Sequence, residues 1–454
     1  MKRIAQVLLL GCSVAFLAAC DDDDDDLVII PPPVIPLEVT DIRVLHASPD
    51  APMVNITVNG DNALEMVDYQ EGSGFIELFE GEYSIGVDAL LPSGDTATVI
   101  GPATLDLMGD MEYSVIAVGK VADETLEPLI LTRPDEDFGA GNIRLQVVHA
   151  SPDAPEVDVY LTEPDADISM MDPALASVPF KGYSDLIEVA SGDYQARVTL
   201  AGSKEVVFDS GALTLAAETD LMLVAVTNTL SGPSPINVMA WSDDGVSLIS
   251  DVNAGAEVRV VHASPDAPEV NVLVDDTVAL SDVPFPAFSG FLPLSAGTHN
   301  LKVEPSAAPG TYVIDADADF ALNTAYTVLA TGFVAEITPW IVEGKGRRIA
   351  TAAQLRLLHA SPSAGNVDIY VGTDNDISDE EPAFSDVPIR AETGLVALPP
   401  GDYVVTVTAT GTKDAAIGPL ALTLEGNKIY TAIARDTAGG GGPLGLILLD
   451  DFNM

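Results

Sequence analysis

Four histidines in this chain each open nearly the same phrase. His46 begins "HASPDAPMVNI", His149 "HASPDAPEVDV", His262 "HASPDAPEVNV" and His359 "HASPSAGNVDI". Each is followed two residues on by Ser48, Ser151, Ser264 or Ser361, and in three copies an Asp comes next but one, so the residue types of a hydrolytic triad are present. That chemistry needs three side chains converging from a fixed geometry, not neighbours in one turn. The fourth copy has Ser363 for the Asp and Gly365 for the second Pro, yet keeps His359 and Ser361. The phrase therefore reads as structural. Its prolines withhold backbone donors while Ser and Asp accept from nearby N–H groups, which favours a tight turn. Nine residues after each His stands Asn55, Asp158, Asn271 or Asp368. This side chain is expected to receive the imidazole N–H and lock the bend, since an amide replaces a carboxylate in a hydrogen bond but not as a general base. Val44, Val147, Val260 and Leu357 lie two positions before the histidines on the same strand face, so the imidazoles are expected in a core.

Metal binding is the other chemistry to weigh. One motif His per repeat, with no Cys beyond Cys20, is too few for zinc. Oxygen ligands suit calcium instead, and the candidate ligands are Asp165 and Asp167 in "DADISMMD" and Asp374 and Asp376 in "TDNDISDEE". "DADAD" at Asp315 to Asp319 also crowds carboxylates, although none of these segments has the spacing of an EF-hand loop. His299 stands where other repeats have Tyr83, Tyr194 and Tyr403, and reads as a substitution at a structural position.

The elements that carry these residues are strands. Val157, Val159 and Leu161 alternate with Asp158 and Tyr160, the period of a half-buried strand, and no long stretch has helical period. The motif histidines are 103, 113 and 97 residues apart, the length of a small domain. A second block repeats with them ("GEYSIGV", "GDYQARV", "GTHNLKV", "GDYVVTV"), and then a third ("EYSVIAV", "DLMLVAV", "AYTVLAT", "IYTAIAR"). From the His to the Gly of the second block the separations are 35, 43, 35 and 42 residues. Short and long alternate, so a two-domain unit A-B is duplicated, and B differs from A mainly in one acidic loop. About seven strands per repeat predict four tandem immunoglobulin-like β-sandwich domains, at residues 41–134, 143–250, 256–345 and 353–454. The Tyr of the second block is expected to cap a sandwich corner.

Residues 1–19 have a basic start and an apolar stretch too short for a comfortable membrane span, as in an export signal. Residues 20–40 hold six consecutive aspartates and "PPPVIP", which predict an extended spacer. Leu17-Ala18-Ala19-Cys20 resembles a bacterial lipoprotein lipobox, which implies cleavage before Cys20 and its lipidation. The resemblance leaves open inner-membrane retention and surface export. Seventy acidic against nineteen basic residues exclude nucleic acid as a partner, because phosphate binding needs clustered cations. Such a surplus serves solubility in salt.

Together, "VHASPDAPEVDVY", the "G-x-Y" block and the lipobox-like start resemble bacterial envelope proteins built of domain of unknown function 4397. The resemblance covers nearly all of the chain after Cys20 and implies β-domains at the cell envelope; it brings no reaction or cofactor. The leading expectation is a non-enzymatic protein, lipid-anchored to the membrane, that presents tandem β-domains to an envelope or extracellular partner. The alternatives are a calcium-dependent binding module and an exported hydrolase.

Overall fold

The computed structural model describes residues 38–230, 232–344 and 346–453. The expected signal, Cys20 and residues 20–37 of the expected spacer lie outside the described residues, while Val39 and Thr40, at the end of that expected spacer, already belong to the first strand. Turn residues cut the rest into strands, and among the described residues there is no α-helix, only two single 3-10 turns.

Domain 1 has eight strands: β1 Val39–His46, β2 Val54–Val58, β3 Asp61–Val67, β4 Ile76–Phe79, β5 Gly81–Leu90, β6 Thr96–Leu107, β7 Met111–Val118 and β8 Glu127–Pro134. They form two sheets, ordered β4-β1-β7-β8 and β3-β2-β5-β6. β1 and β7 run parallel with His46 beside Ala117, and the remaining neighbours are antiparallel. The same order recurs within residues 142–249, 255–344 and 353–450, and domain 2 adds a ninth strand, Gly245–Ile249, to its first sheet. The protein is thus four all-β sandwich domains in tandem. The layering is immunoglobulin-like, while the order 4-1-7-8 over 3-2-5-6 differs from the four-plus-three arrangement of immunoglobulin constant domains.

The second block closes a corner in every domain. Tyr83, Tyr194 and Tyr403 each donate a hydroxyl hydrogen bond to the carbonyl four residues upstream, on Phe79, Ala190 and Pro399. In domain 1 this ties the end of β4, the edge strand of the first sheet, to β5 in the second. His299 makes the equivalent contact, with Nε2 2.9 Å from the Ser295 carbonyl.

Each sandwich has its own core, such as Val44, Val54, Ile56 and Val87 between the sheets of domain 1. A second set of cores lies between domains. Leu45, Ala47, Ile116 and Leu131 of domain 1 pack against Val148, Ala150, Val224 and Trp241 of domain 2. Val261, Ala263 and Leu329 of domain 3 pack in the same way on Leu358, Ala360 and Ile433 of domain 4. The first sheet of every domain is therefore buried on both faces, against its own second sheet and against the first sheet of its partner. The A-B unit inferred from loop lengths is a face-to-face pair.

Charges reinforce the first seam. Arg133 and Glu112 of domain 1 meet Arg144 and Asp220 of domain 2, and all four side chains are less than a tenth exposed. Such a network is weak evidence for net stability, but removing one member leaves a buried charge unpaired.

Candidate functional site

The repeated phrase leads out of the first strand of each domain at the pair seam. Alternation along β1 sends Val44 into the sandwich and Leu45 to the partner domain. His46 follows Val44's side, and Ala47 faces the partner again. The four imidazoles are at most 2% exposed, which places them in the core as expected.

Their partners are not the expected ones. Nε2 lies 3.0 Å from the Pro52 carbonyl, 3.1 Å from Pro155, 3.1 Å from Pro268 and 2.7 Å from Gly365, six residues on in each case. In three copies Nδ1 accepts from the N–H of Ser48, Ser151 or Ser361 at 3.3 Å, which fixes the proton on Nε2. The imidazole thus spans its own turn, holding both ends by backbone groups. This suits Pro and Gly alike at the sixth position, because only a carbonyl is used.

The side chains expected to hold the imidazole hold a bulge instead. Asn55 accepts from the Met66 N–H at 2.9 Å and Asn271 from Asp282 at 3.1 Å. Asp158 accepts from Ser177 at 2.7 Å and Asp368 from Asp386 at 2.8 Å. All four donors have positive φ, between 51° and 54°, a conformation that needs a local hydrogen bond to offset its strain. In the B domains the second carboxylate oxygen also takes an N–H, from Gly202 or Gly411 at 2.8 Å. A carboxylate serves two donors there, which explains Asp in B and Asn in A.

No copy carries triad geometry. The Ser151 hydroxyl meets Thr227 at 2.8 Å, Ser264 donates to the Gly332 carbonyl at 2.6 Å, and Ser361 donates to Asp436. The hydroxyl of Ser48 is buried without a partner among the described residues. None of these hydroxyls is bonded to the imidazole that a nucleophile would need. Burial holds His46 down at about 4, with nearby Arg347 acting in the same direction. It lowers His149, His262 and His359 as well.

The acidic B loops contain a cation already. Lys204 reaches over the Tyr160 ring at 4.6 Å, bonds its hydroxyl at 2.8 Å and donates to the Met171 carbonyl. Lys413 sits 4.5 Å over Tyr370 and donates to the carbonyls of Ile377 and Glu380. Asp167 turns to the N–H of Ser169, Asp374 to that of Asp376, and Asp376 to that of Ser378. Asp165, Asp167, Asp374 and Asp376 are exposed, and among the described residues no three ligating side chains gather around one point. The carbonyls a calcium ion would take are turned to an ammonium group.

A cavity of about 210 Å³ lies between the sheets of domain 3, walled mainly by aliphatic residues such as Val258, Val272, Leu280 and Leu301. It offers room for an apolar group and little to orient one.

A family model built on this kind of domain matches residues 40–160, 256–370 and 353–454, more than half of the chain. The chain belongs to the family described as Domain of unknown function (DUF4397). The first two DUF4397 matches each run from an A domain into the second strand of the B domain paired with it. No curated protein matches the chain. Among solved structures, streptococcal family 41 carbohydrate-binding modules that recognise α-glucan are 10% identical over 42% of this chain and 94% of theirs, with a TM-score of 0.15. A multi-modular glycogen-degrading pneumococcal virulence factor is 11% identical over 82% of this chain and 37% of its own, with a TM-score of 0.15. A streptococcal ancillary pilin is 11% identical over 62% of this chain and 95% of its own, at 0.13. Superpositions this poor carry no statement about what this chain binds.

Proposed function

We propose that this protein is a non-enzymatic, lipid-anchored protein of the cell envelope, whose two domain pairs form a stiff display for binding, adhesion or envelope assembly. One observation carries the reading. The most distinctive residues of the sequence, present four times, are buried beside the pair seams and bonded to their own backbone. Repetition here serves construction, and pairing turns four small domains into two larger bodies. Tethering at Cys20, with the acidic and proline-rich segment as a spacer, would hold these bodies off a bilayer. The partner is an envelope or extracellular component; a net charge of −51 opposes nucleic acid and anionic lipid surfaces.

The test has two arms. Cells making the full chain are fed labelled palmitate and fractionated. The wild-type chain should carry label and sediment with membranes, while Cys20→Ser should carry none and become soluble. A Cys20→Ser chain that still carries label and stays on the membrane would refute the tether. In the second arm the purified chain is assayed on ester, peptide and glycoside substrates. Turnover abolished by Ser151→Ala or His149→Ala would refute the non-enzymatic reading.

A further inference from the structure

The core of domain 3 is divided. Val258, Leu301 and Val328 belong to one group of buried side chains and Val272, Val303 and Ile314 to another, and the cavity of about 210 Å³ lies between them. In domains 2 and 4 a single continuous core runs between the sheets. Strand register shows what closes the gap there. The residue ten positions after the motif His is Val272 in domain 3, Val159 in domain 2 and Ile369 in domain 4. Two pairings along the sheet lead from Val272 through Val303 to Ile314, and from Val159 through Val198 to Phe208. On its other side Val272 meets Leu280, whereas Ile369 meets Phe384. A phenyl ring in each B domain thus fills space that Ile314 and Leu280 leave open in domain 3. The gap between the sheets of domain 4 is about 30 Å³.

The cavity opens along one side of the sandwich. Thr277 and Ala279 stand on the strand Thr277–Val283, and Leu292 and Pro293 on the strand Leu292–Ser295, which are edge strands of the two sheets. All four residues line the cavity and are exposed. Leu292 pairs with Val258 and shares its inward face, yet it is 37% exposed against 8% for Val258. An inward-facing Leu left open to solvent marks the mouth.

Among the described residues that line the cavity, none is charged or aromatic, and Thr277 alone carries a polar side chain. Water inside would lack hydrogen-bond partners, whereas an apolar occupant regains the packing contacts that an empty gap forfeits. A charged group would be buried there without a partner, so it stays outside. Sheets about 10 Å apart, with no ring to stack on, favour a flexible chain over a planar molecule. An apolar cavity of about 150 Å³ accommodates benzene, so one of about 210 Å³ has room for about eight carbons. We infer that the cavity of domain 3 is a binding site for a free aliphatic molecule of medium chain length, with its polar head at Thr277. The acidic surface of the chain favours such a free ligand over the tail of a lipid held in an anionic bilayer. The site goes beyond the display function proposed above and does not depend on the tether.

Isothermal titration with straight-chain alcohols from butanol to dodecanol tests it. The protein is the full-length chain with Cys20→Ser, so that no acyl group of its own competes. Each added methylene should tighten binding about fourfold, as expected for burying one such group, until about eight carbons fill the space. Beyond that length the affinity should level off, whereas non-specific partitioning would keep rising. Leu280→Phe copies Phe384, and Ile314→Phe copies Phe208. Each should weaken octanol at least about tenfold while the unfolding transition of Trp340 persists. If one variant fails to fold the other decides, and if both fail the length series decides. No binding of octanol at about 1 mM, affinity that rises without levelling, or binding unchanged in the folded variants would each overturn the assignment. Phosphatidylcholine vesicles are the last probe. Flotation of the chain with them that is lost in the filled variants would assign the cavity to a lipid tail and refute a free ligand.

Discussion

Domain pairing makes a sharp prediction because the chain has only two tryptophans and each lies at a different seam. Trp241 is fully buried between domains 1 and 2, and Trp340 packs on the core between domains 3 and 4. A Trp340→Phe chain therefore reports the first pair alone, and a Trp241→Phe chain the second. The perturbation is Leu45→Ala in domain 1. Leu45 is 1% exposed, and its side chain faces the partner domain, not its own sandwich. Truncating a buried Leu removes its transfer energy and leaves a cavity, together about 3 kcal/mol. Two packed domains of this length have a urea dependence of roughly 3 kcal/mol per molar, so the midpoint should fall by about 1 M. The signal is read from Trp241 on domain 2, although the change is in domain 1. Trp340 should keep its midpoint when Leu45→Ala is placed in the Trp241→Phe chain. An unmoved Trp241 transition would mean that the two domains touch without coupling, which refutes a shared core. An equal shift of Trp340 would mean that both pairs unfold as one body.

Acid should weaken the fold through its histidines. His46 stays neutral down to about 4 while the unfolded chain takes up its proton near 6.5, so stability is complete above that value and falls as pH drops through the window. The loss for this residue approaches about 3 kcal/mol, and His149, His262 and His359 add to it in the same direction. Burial raises the Glu112 carboxyl, whose protonation opposes part of this trend. Ring-proton NMR should show four histidines titrating below the free value and His299, bonded to Asp275, above it; a motif imidazole titrating normally would contradict the buried turn. Asp220→Ala leaves Arg133 and Arg144 without their shared partner and should cost about 3–5 kcal/mol in urea unfolding, a cost that a change below about 1 kcal/mol would disprove. Lys204→Met keeps the packing on Tyr160 but removes the ammonium from the B loop, so limited proteolysis near Met170 should accelerate several-fold and calcium should not reverse it. Calcium restoring protection would show that an ion can take the lysine's place.

The domains were legible in the sequence because three blocks recur in the same order, and the alternation of short and long spacing exposed the A-B unit. The motif His and the corner Tyr were legible because each stands on a patterned strand beside a turn. The role of Asn55, Asp158, Asn271 and Asp368 was not. Regular spacing from the His suggested contact, but a β-strand sends that side chain to the bulged third strand, and the turn closes through carbonyls that every sequence supplies. The seams were also missed, although a signal existed. "SVIAV", "LMLVAV" and "INVMAW" are nearly continuous apolar runs and do not alternate, as strands covered on both faces require. Strands of the second sheet, such as Ile314–Phe320 of domain 3 with its exposed alternate aspartates, do alternate. The lysine clips of the B loops left no such trace, because Lys204 and Lys413 lie 37–39 residues beyond the aspartates they accompany.

Pairing also answers a difficulty raised by composition. The two cysteines are Cys12 and Cys20, so no disulfide can staple the four sandwiches. A domain of about 100 residues buries only some 60–70% of the surface its unfolded chain exposes, and its stability is correspondingly small. Setting two first sheets face to face gives each domain a second apolar core, as if the folding unit were twice as long. The Ala of every phrase then has a definite role. Ala47, Ala150, Ala263 and Ala360 are at most 1% exposed, at the point where the two sheets come together. A larger side chain there would push the sheets apart. The His beside it pins the turn so that this Ala is presented at the correct depth. The fourfold phrase is then one device with two faces, an imidazole that fixes the bend within a domain and a methyl group that fixes the distance between domains. A copy can therefore tolerate Ser363 and Gly365 in the turn so long as His359 and Ala360 remain.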